Sequence, residues 1–197
     1  MKIIKTEYLI DSKKIRKNSD YKKIENEITT AIEKVRWPKK TNNFTIYPEK
    51  KANGVVPIKD ACMISLQEDQ WQLEERLDIA TNVRPGPIDA YKDLNGLKVA
   101  VEWETGNISS SHRAVNKMAI GLLDDKLDVG FLILPSREFY QYLTDRVGNF
   151  RELEPYFPMW KSLTLPDKVL AIIEVEHDET SKKVPKIKKG TDGRALV

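Results

Sequence analysis

Three stretches of this sequence dictate most of what the chain can fold into: LKVAVEWE (97–104), DVGFLILP (128–135) and KVLAIIEVE (168–176). The second and third are apolar almost without interruption. A strand with no polar face has to be covered on both sides, as in the interior of an α/β sheet. Between the first two, Val115, Met118, Ala119, Leu122 and Leu123 recur at helical spacing over 109–124. Strand, helix and strand with room for a crossover make a βαβ unit. The predicted fold class is therefore α/β, with a central mixed β-sheet flanked by helices. No internal repeat and no linker divides the chain, so one domain over 1–197 is expected, with 177–197 as a polar, lysine-rich tail.

The remaining elements follow from punctuation. A helix is predicted over 19–36, capped by Ser19 and stopped before Pro38, and a short strand over 43–47. Asn53-Gly54 reads as a turn, and Pro57 opens a second helix over 57–75. Arg84-Pro85-Gly86-Pro87 is a hard break before a strand at 88–92, and Asn95-Gly96 is a hairpin signal. Short helices are expected at 136–143 and 149–157.

A chain of 197 residues, 40% hydrophobic and 32% charged, is long enough for one real core and has the composition of a soluble globular protein. No apolar run approaches the ~20 residues of a membrane span. Lys5, Glu7 and Asp11 interrupt the place where a signal peptide would need apolar residues. The single cysteine, Cys62, can form neither an internal disulfide nor a zinc site alone. A cytoplasmic protein without membrane association is expected. The net charge of +3 hides a split: residues 1–51 carry +7, 52–181 carry −9 and 182–197 carry +5. Basic ends around an acidic middle fit a polyanion partner, or ordinary surface lysines.

The acidic middle holds a constellation with chemical meaning. Pro87-Ile88-Asp89 is followed after twelve residues by Glu102-Trp103-Glu104. Alternate strand residues share a face, so Glu102 and Glu104 point one way while Val99, Val101 and Trp103 take the other. The hairpin at Asn95-Gly96 would bring Asp89 beside them. Converging carboxylates repel unless a cation neutralises them or they hold protons. Oxygen ligands favour Mg²⁺ over zinc, and Mg²⁺ on carboxylates is an apparatus for phosphodiester attack. A carboxylate pair also serves glycoside hydrolysis, although basic ends suit a sugar poorly. A solvated strand face and a catalytically silent DNA-binding protein are the remaining alternatives.

The Asp89–Glu102–Glu104 pattern is a variant of the PD…(D/E)xK nuclease motif, with Glu104 where most members carry lysine. FTI (44–46), NGVVPIK (53–59), GPIDAYK (86–92), EWETGNISSSHR (102–113), QYLTDRVGNF (141–150), ELEPYF (152–157) and KGTDG (189–193) resemble, in order, segments of the BamHI-like type II restriction endonucleases. The resemblance spans about residues 43–193, and the first forty match loosely.

It implies a restriction-endonuclease-like fold and Mg²⁺-dependent cleavage of double-stranded DNA at GGATCC after the first G, leaving 5′ overhangs. It also implies two Mg²⁺ per active site, with Mn²⁺ substituting and Ca²⁺ inhibiting, a homodimer, and a cognate DNA methyltransferase. By the resemblance, Asp89 and Glu102 are the principal metal ligands, Glu74 is a further acidic ligand, and Glu104 positions or deprotonates the attacking water. Asn107, Ser109, Arg113, Asp145 and Arg146 become sequence readers, with Lys59 close to the DNA. Gly190, Asp192, Gly193 and Arg194 belong to a C-terminal arm along the minor groove, shorter here than in the family. Lys186, Lys188 and Lys189 would touch phosphates with Arg194. A palindrome calls for a two-fold dimer, for which 109–124 and 149–160 are the expected interface, anchored by Phe157 and Trp160. His112 is expected to be structural and Cys62 buried.

Overall fold

The computed structural model describes residues 1–79, 86–144 and 147–190. Its elements in chain order are β1 (Lys2–Asp11), α1 (Lys13–Lys17), α2 (Ser19–Glu33), β2 (Thr45–Ile46), α3 (Val56–Glu68), β3 (Gln72–Glu75), β4 (Ile88–Leu94), β5 (Leu97–Trp103), α4 (Ile108–Leu123), β6 (Val129–Pro135), α5 (Arg137–Tyr140), α6 (Phe150–Leu153), α7 (Phe157–Lys161), β7 (Val169–Glu176) and β8 (Glu179–Thr180). A single 3₁₀ turn at Glu154–Tyr156 joins α6 to α7.

Six strands form one mixed sheet in the order β1-β7-β6-β5-β4-β3. Strands β5, β6 and β7 run parallel to one another, and the pairs on either side of them are antiparallel. Every residue of β6 is buried, as a strand lacking a polar face requires. One face packs on α2 and α3 through Val99, Val101, Phe131 and Ala171, with Ile24, Ile28 and Cys62. The other packs on α4 and α7 through Ala100, Leu132 and Ile172, with Val115, Met118 and Trp160. Cys62 is fully buried, and burial pushes its thiol up to about 12.

Several expectations need correction. The second helix ends at Glu68, and residues 72–75 form edge strand β3 instead of its last turns. A left-handed Gln70 (φ 66°) reverses the chain, and the buried Trp71 fixes the reversal by donating its indole N–H to Glu27 at 2.9 Å. Asn18, not Ser19, caps α2, its Oδ1 accepting from Asp20 N at 2.7 Å. The strand predicted over 43–47 shrinks to Thr45–Ile46, paired in parallel with β8.

Strand β1 was not foreseen. It pairs with β7 at the sheet edge, and its register shifts between Ile3 and Lys5 and between Tyr8 and Ile10. Charged side chains and irregular register are how edge strands avoid pairing with other chains, and they erase the period that would have announced it.

Asn53-Gly54 is a docking point, not the turn expected there. Asn53 is fully buried; its amide donates to Tyr47 O and Tyr142 O at 3.0 Å, and its Oδ1 accepts from Ile187 N at 3.1 Å. Gly54 N donates to Ile187 O at 2.9 Å, and a Cβ on Gly54 would collide with Lys188 O. The root of the lysine-rich tail is thereby fixed against the segment that leads into 145–146. Replacing Asn53 with alanine leaves Ile187 N–H unpaired in the interior, while Tyr142 O and Tyr47 O keep only their backbone donors, Asn53 N and Glu49 N. It is expected to cost about 1–3 kcal/mol, read as a lower urea midpoint at unchanged slope.

Candidate active site

The β4–β5 hairpin, turned by Asn95 (φ 55°) and Gly96 (φ 88°), builds the site. Ala90 pairs with Val101, so Asp89 lies beside Glu102 on the neighbouring strand. Glu102 follows Ala100 onto the face covered by α4, while Val99, Val101 and Trp103 enter the opposite core as predicted. Asp89 and Glu102 are both buried, at 8% and 7% exposure, which excludes a solvated strand face.

Each carboxylate has a fixed partner. Asp89 Oδ2 accepts from the backbone N–H of Trp103 at 2.8 Å, locking it across the hairpin. Asp89 Oδ1 accepts from Lys59 Nζ at 2.5 Å. The same Lys59 ammonium lies 3.9 Å from Glu74 Oε1. Glu74 sits in β3 between Leu73, which pairs with Ala90, and Glu75, which pairs with Ile88. Its left-handed backbone (φ 54°) lifts it out of the regular ladder, and its side chain is mostly exposed. Glu104, just past β5, turns Oε1 back to accept from Gly106 N at 2.6 Å.

Glu102 faces a partner that sequence reading missed: Lys117, which pairs with its Oε1. Lys117 projects from α4 and also donates to Pro87 O at 2.9 Å and Gly86 O at 3.2 Å. Glu102 Oε1 is sealed from solvent, and among the described residues its partner is the Lys117 ammonium in direct contact with it. The signal was present, since Lys117 lies between the apolar positions Val115 and Met118 in the crossover helix that follows the carboxylate strand. No motif marked it.

The titration behaviour follows from this crowding. Burial raises the Glu102 carboxyl to about 7, with Asp89 and Glu104 adding to the rise and Lys117 only partly opposing it. Burial also raises Glu104, against the hydrogen bond from Gly106 N. Burial works to lower Lys59, but Asp89, Glu74 and Glu102 together hold it above its ordinary value. Lys59 thus feels all four predicted carboxylates at once.

Among the described residues, no three Asp, Glu, His or Cys side chains are gathered closely enough to enclose a metal ion as they stand. The chemistry of the donors nevertheless fits a hard dication. They are oxygens only, Asp89 and Glu102 are adjacent, and the buried Glu102 oxygen already holds a cation, the Lys117 ammonium. The positive charge that the cluster demands is supplied by Lys59 and Lys117.

Of the predicted DNA-facing residues, Lys59 lies in the cluster itself, and Asn107, Ser109 and Arg113 lie at the start of α4, which follows β5. Asn107 caps α4, its Oδ1 accepting from Ser110 N at 3.1 Å, which leaves its amide NH₂ for any further contact. Ser109 and Arg113 are exposed on the first turns of that helix, and Arg113 donates to Ser110 Oγ at 2.9 Å. Gly148 N donates to Gly106 O at 2.8 Å, tying the loop behind Glu104 to the segment beyond 146. A Cβ on Gly148 would come within 2.5 Å of Ser111 Oγ, so that approach requires glycine. Asp145, Arg146, Asp192, Gly193 and Arg194 lie outside the described residues, while Gly190 is half-buried in open space. Lys186 pairs with Glu49 at 2.7 Å. His112 is structural as expected, edge-on to Tyr156 with ring centroids 4.5 Å apart.

Comparison with known proteins fits this geometry. The family model described as restriction endonuclease BamHI matches residues 1–194, including the first forty, where the motif resemblance was loose. The type II restriction enzyme OkrAI of Oceanobacter kriegii is 53% identical over 196 residues, the whole of both chains. The type II restriction enzyme BamHI of Bacillus amyloliquefaciens is 38% identical over 200 residues, covering 96% of this chain and 92% of its own. Among solved structures, restriction endonuclease BglII complexed with a DNA 16-mer has a TM-score of 0.65 at 13% identity, covering 90% of this chain and 79% of that one. At that identity the likeness concerns the fold alone, and it is to a restriction endonuclease. With the family model and both relatives running nearly end to end through the paired Asp89 and Glu102, the chain belongs to the BamHI family of restriction endonucleases.

Proposed function

We propose that this protein is a type II restriction endonuclease that cleaves double-stranded DNA at GGATCC after the first G, with Mg²⁺ held by Asp89, Glu102 and Glu74. The observation that carries the site assignment is the buried pair Asp89–Glu102, side by side on β4 and β5 with Glu104 two residues on. Bound Mg²⁺ supplies a polarised water and a counter-charge for the leaving oxygen. Trp103 N–H holds Asp89 in place, and Gly106 N–H does the same for Glu104. Burial keeps the Glu104 carboxyl above the ordinary range, which suits it to position the water or take its proton.

DNA readout is assigned to Asn107, Ser109 and Arg113 at the start of α4 and to Asp145-Arg146. Arginine can bind guanine through O6 and N7, and aspartate can accept from cytosine N4. Lys59, Gly190, Asp192, Gly193 and Arg194 complete the DNA-facing set. In this reading Mn²⁺ replaces Mg²⁺, Ca²⁺ inhibits, and a cognate methyltransferase protects the host's own sites.

A homodimer reads the two half-sites. Phe157 and Trp160 cannot anchor it, because both are buried inside the monomer at 6% and 1% exposure. The apolar residues left outward on the same elements are Ile120 and Leu123 of α4, with Tyr156 and Met159 beside them in sequence or structure. These are the proposed anchors. In sedimentation without DNA the parent should run as a dimer, and a Leu123→Asp, Met159→Asp variant as a monomer. A monomeric parent at micromolar concentration would remove the preformed dimer.

Plasmid DNA with Mg²⁺ should give discrete fragments with four-base 5′ ends at GGATCC, and none with EDTA. A site with one base pair changed should be cut at least ~10-fold more slowly. Glu102→Ala should abolish cleavage while retaining specific binding in Ca²⁺. Normal cutting by that variant would refute the site assignment.

Proton and metal compete for Glu102. Its carboxyl sits near 7 in the metal-free protein, so affinity for Mn²⁺ should fall as pH drops below 7 and level off above it. An affinity flat from pH 5.5 to 8 would contradict the role given to Glu102.

A further inference from the structure

The ammonium of Lys117 occupies the space that a second cation against Glu102 would need. It stands on the Glu102 oxygen that is sealed from solvent, and it is itself only 13% exposed. It is not a loose surface lysine: carbonyls of Gly86 and Pro87, at 3.2 and 2.9 Å, hold it from the far side. Those carbonyls belong to the segment that feeds into β4 and Asp89. Lys59 plays a looser part on the other side, bridging Asp89 and the exposed Glu74. A divalent ion cannot share Glu102 Oε1 with a lysine in contact with it, because like charges at that distance repel in a medium that screens poorly.

We propose that Lys117 is a built-in competitor for the metal: its ammonium neutralises Glu102 in the metal-free protein, and a divalent cation enters by displacing it. This rests on the reading of Asp89 and Glu102 as metal ligands. The exchange conserves the sign of charge at the cluster, so the buried carboxylates are never left bare. It also releases the carbonyls of Gly86 and Pro87, which couples metal entry to the approach to β4. Lys117 and Arg113 stand four residues apart on α4, on one side of the helix. A group that engages the start of α4 therefore acts on the same rigid element that holds the competitor. In this role Lys117 is a positioning residue and touches no substrate.

The test is Mn²⁺ binding to DNA-free protein, followed by loss of the free-ion paramagnetic resonance signal. Lys117→Met removes the charge and keeps most of the volume, and should bind Mn²⁺ at least ~10-fold more tightly than the parent, the effect of one contacting charge. Lys117→Arg, which keeps a cation, should stay within threefold of the parent (about 0.65 kcal/mol). Glu102→Gln should bind weakly in either background. Equal or weaker binding by a cooperatively folded Lys117→Met would overturn the proposal while leaving the metal site in place. No Mn²⁺ binding by parent and Lys117→Met alike would overturn the metal reading itself.

If Lys117→Met does not fold, the parent decides the matter. Its Lys117 ammonium resonance, assigned with Lys117→Arg, should shift as Mg²⁺ saturates the site and stay fixed in Glu102→Gln. A resonance unmoved at saturation would overturn the exchange.

Discussion

Two carboxylates side by side in the interior of a sheet are tolerable only with positive charge against them, and the surroundings of Asp89 and Glu102 are arranged around that need. Desolvating an anion costs several kcal/mol, and a neighbouring anion adds to it. The chain answers from two directions. Lys59 comes from α3 on one face of the sheet, and Lys117 from α4 on the other. The helices that bury the apolar faces of the strands are thus also the helices that deliver the counter-charges. Core packing and site electrostatics depend on the same two elements.

Much of this was legible in the sequence because it depends on period. The unbroken apolar runs of β6 and β7 announced interior strands, and the hairpin at Asn95-Gly96 placed Asp89 beside Glu102. What stayed illegible depends on tertiary partners. Glu74 looked helical because the residues before it are, and only the reversal at Gln70 and Trp71 puts it on a strand. Strand β1 hid because an edge strand has a mixed pattern. Phe157 and Trp160 looked like anchors because large aromatics favour interfaces, yet the sheet already buries them. Lys117 stood out only as a lysine among apolar helix positions, which does not say that it will meet a carboxylate of the preceding strand. The charge split, by contrast, gained content: part of the acidic middle is the carboxylate cluster itself, and two of its own lysines serve it.

The pieces assigned to DNA share mechanical ties that the sequence did not show. Asn53 holds the tail root at Ile187 and the Tyr142 carbonyl with one amide group. Gly148 and Gly106 join the segment beyond 146 to the loop behind Glu104. A displacement of residues 142 and 148 would be felt both at the tail and at Glu104, through hydrogen bonds of 2.6–3.1 Å.

The pairing of β1 with β7 has a consequence for the order in which the molecule can be assembled. Lys2 meets Glu176, so β1 waits for a strand made far later in the chain. Until β7 emerges, β6 lacks its parallel neighbour and the sheet presents an open apolar edge. The β4–β5 hairpin that carries Asp89 and Glu102 is local and can form early, but the platform beneath it is completed last. A ribosome-bound chain therefore holds Asp89 and Glu102 in sequence before the sheet that buries them is complete.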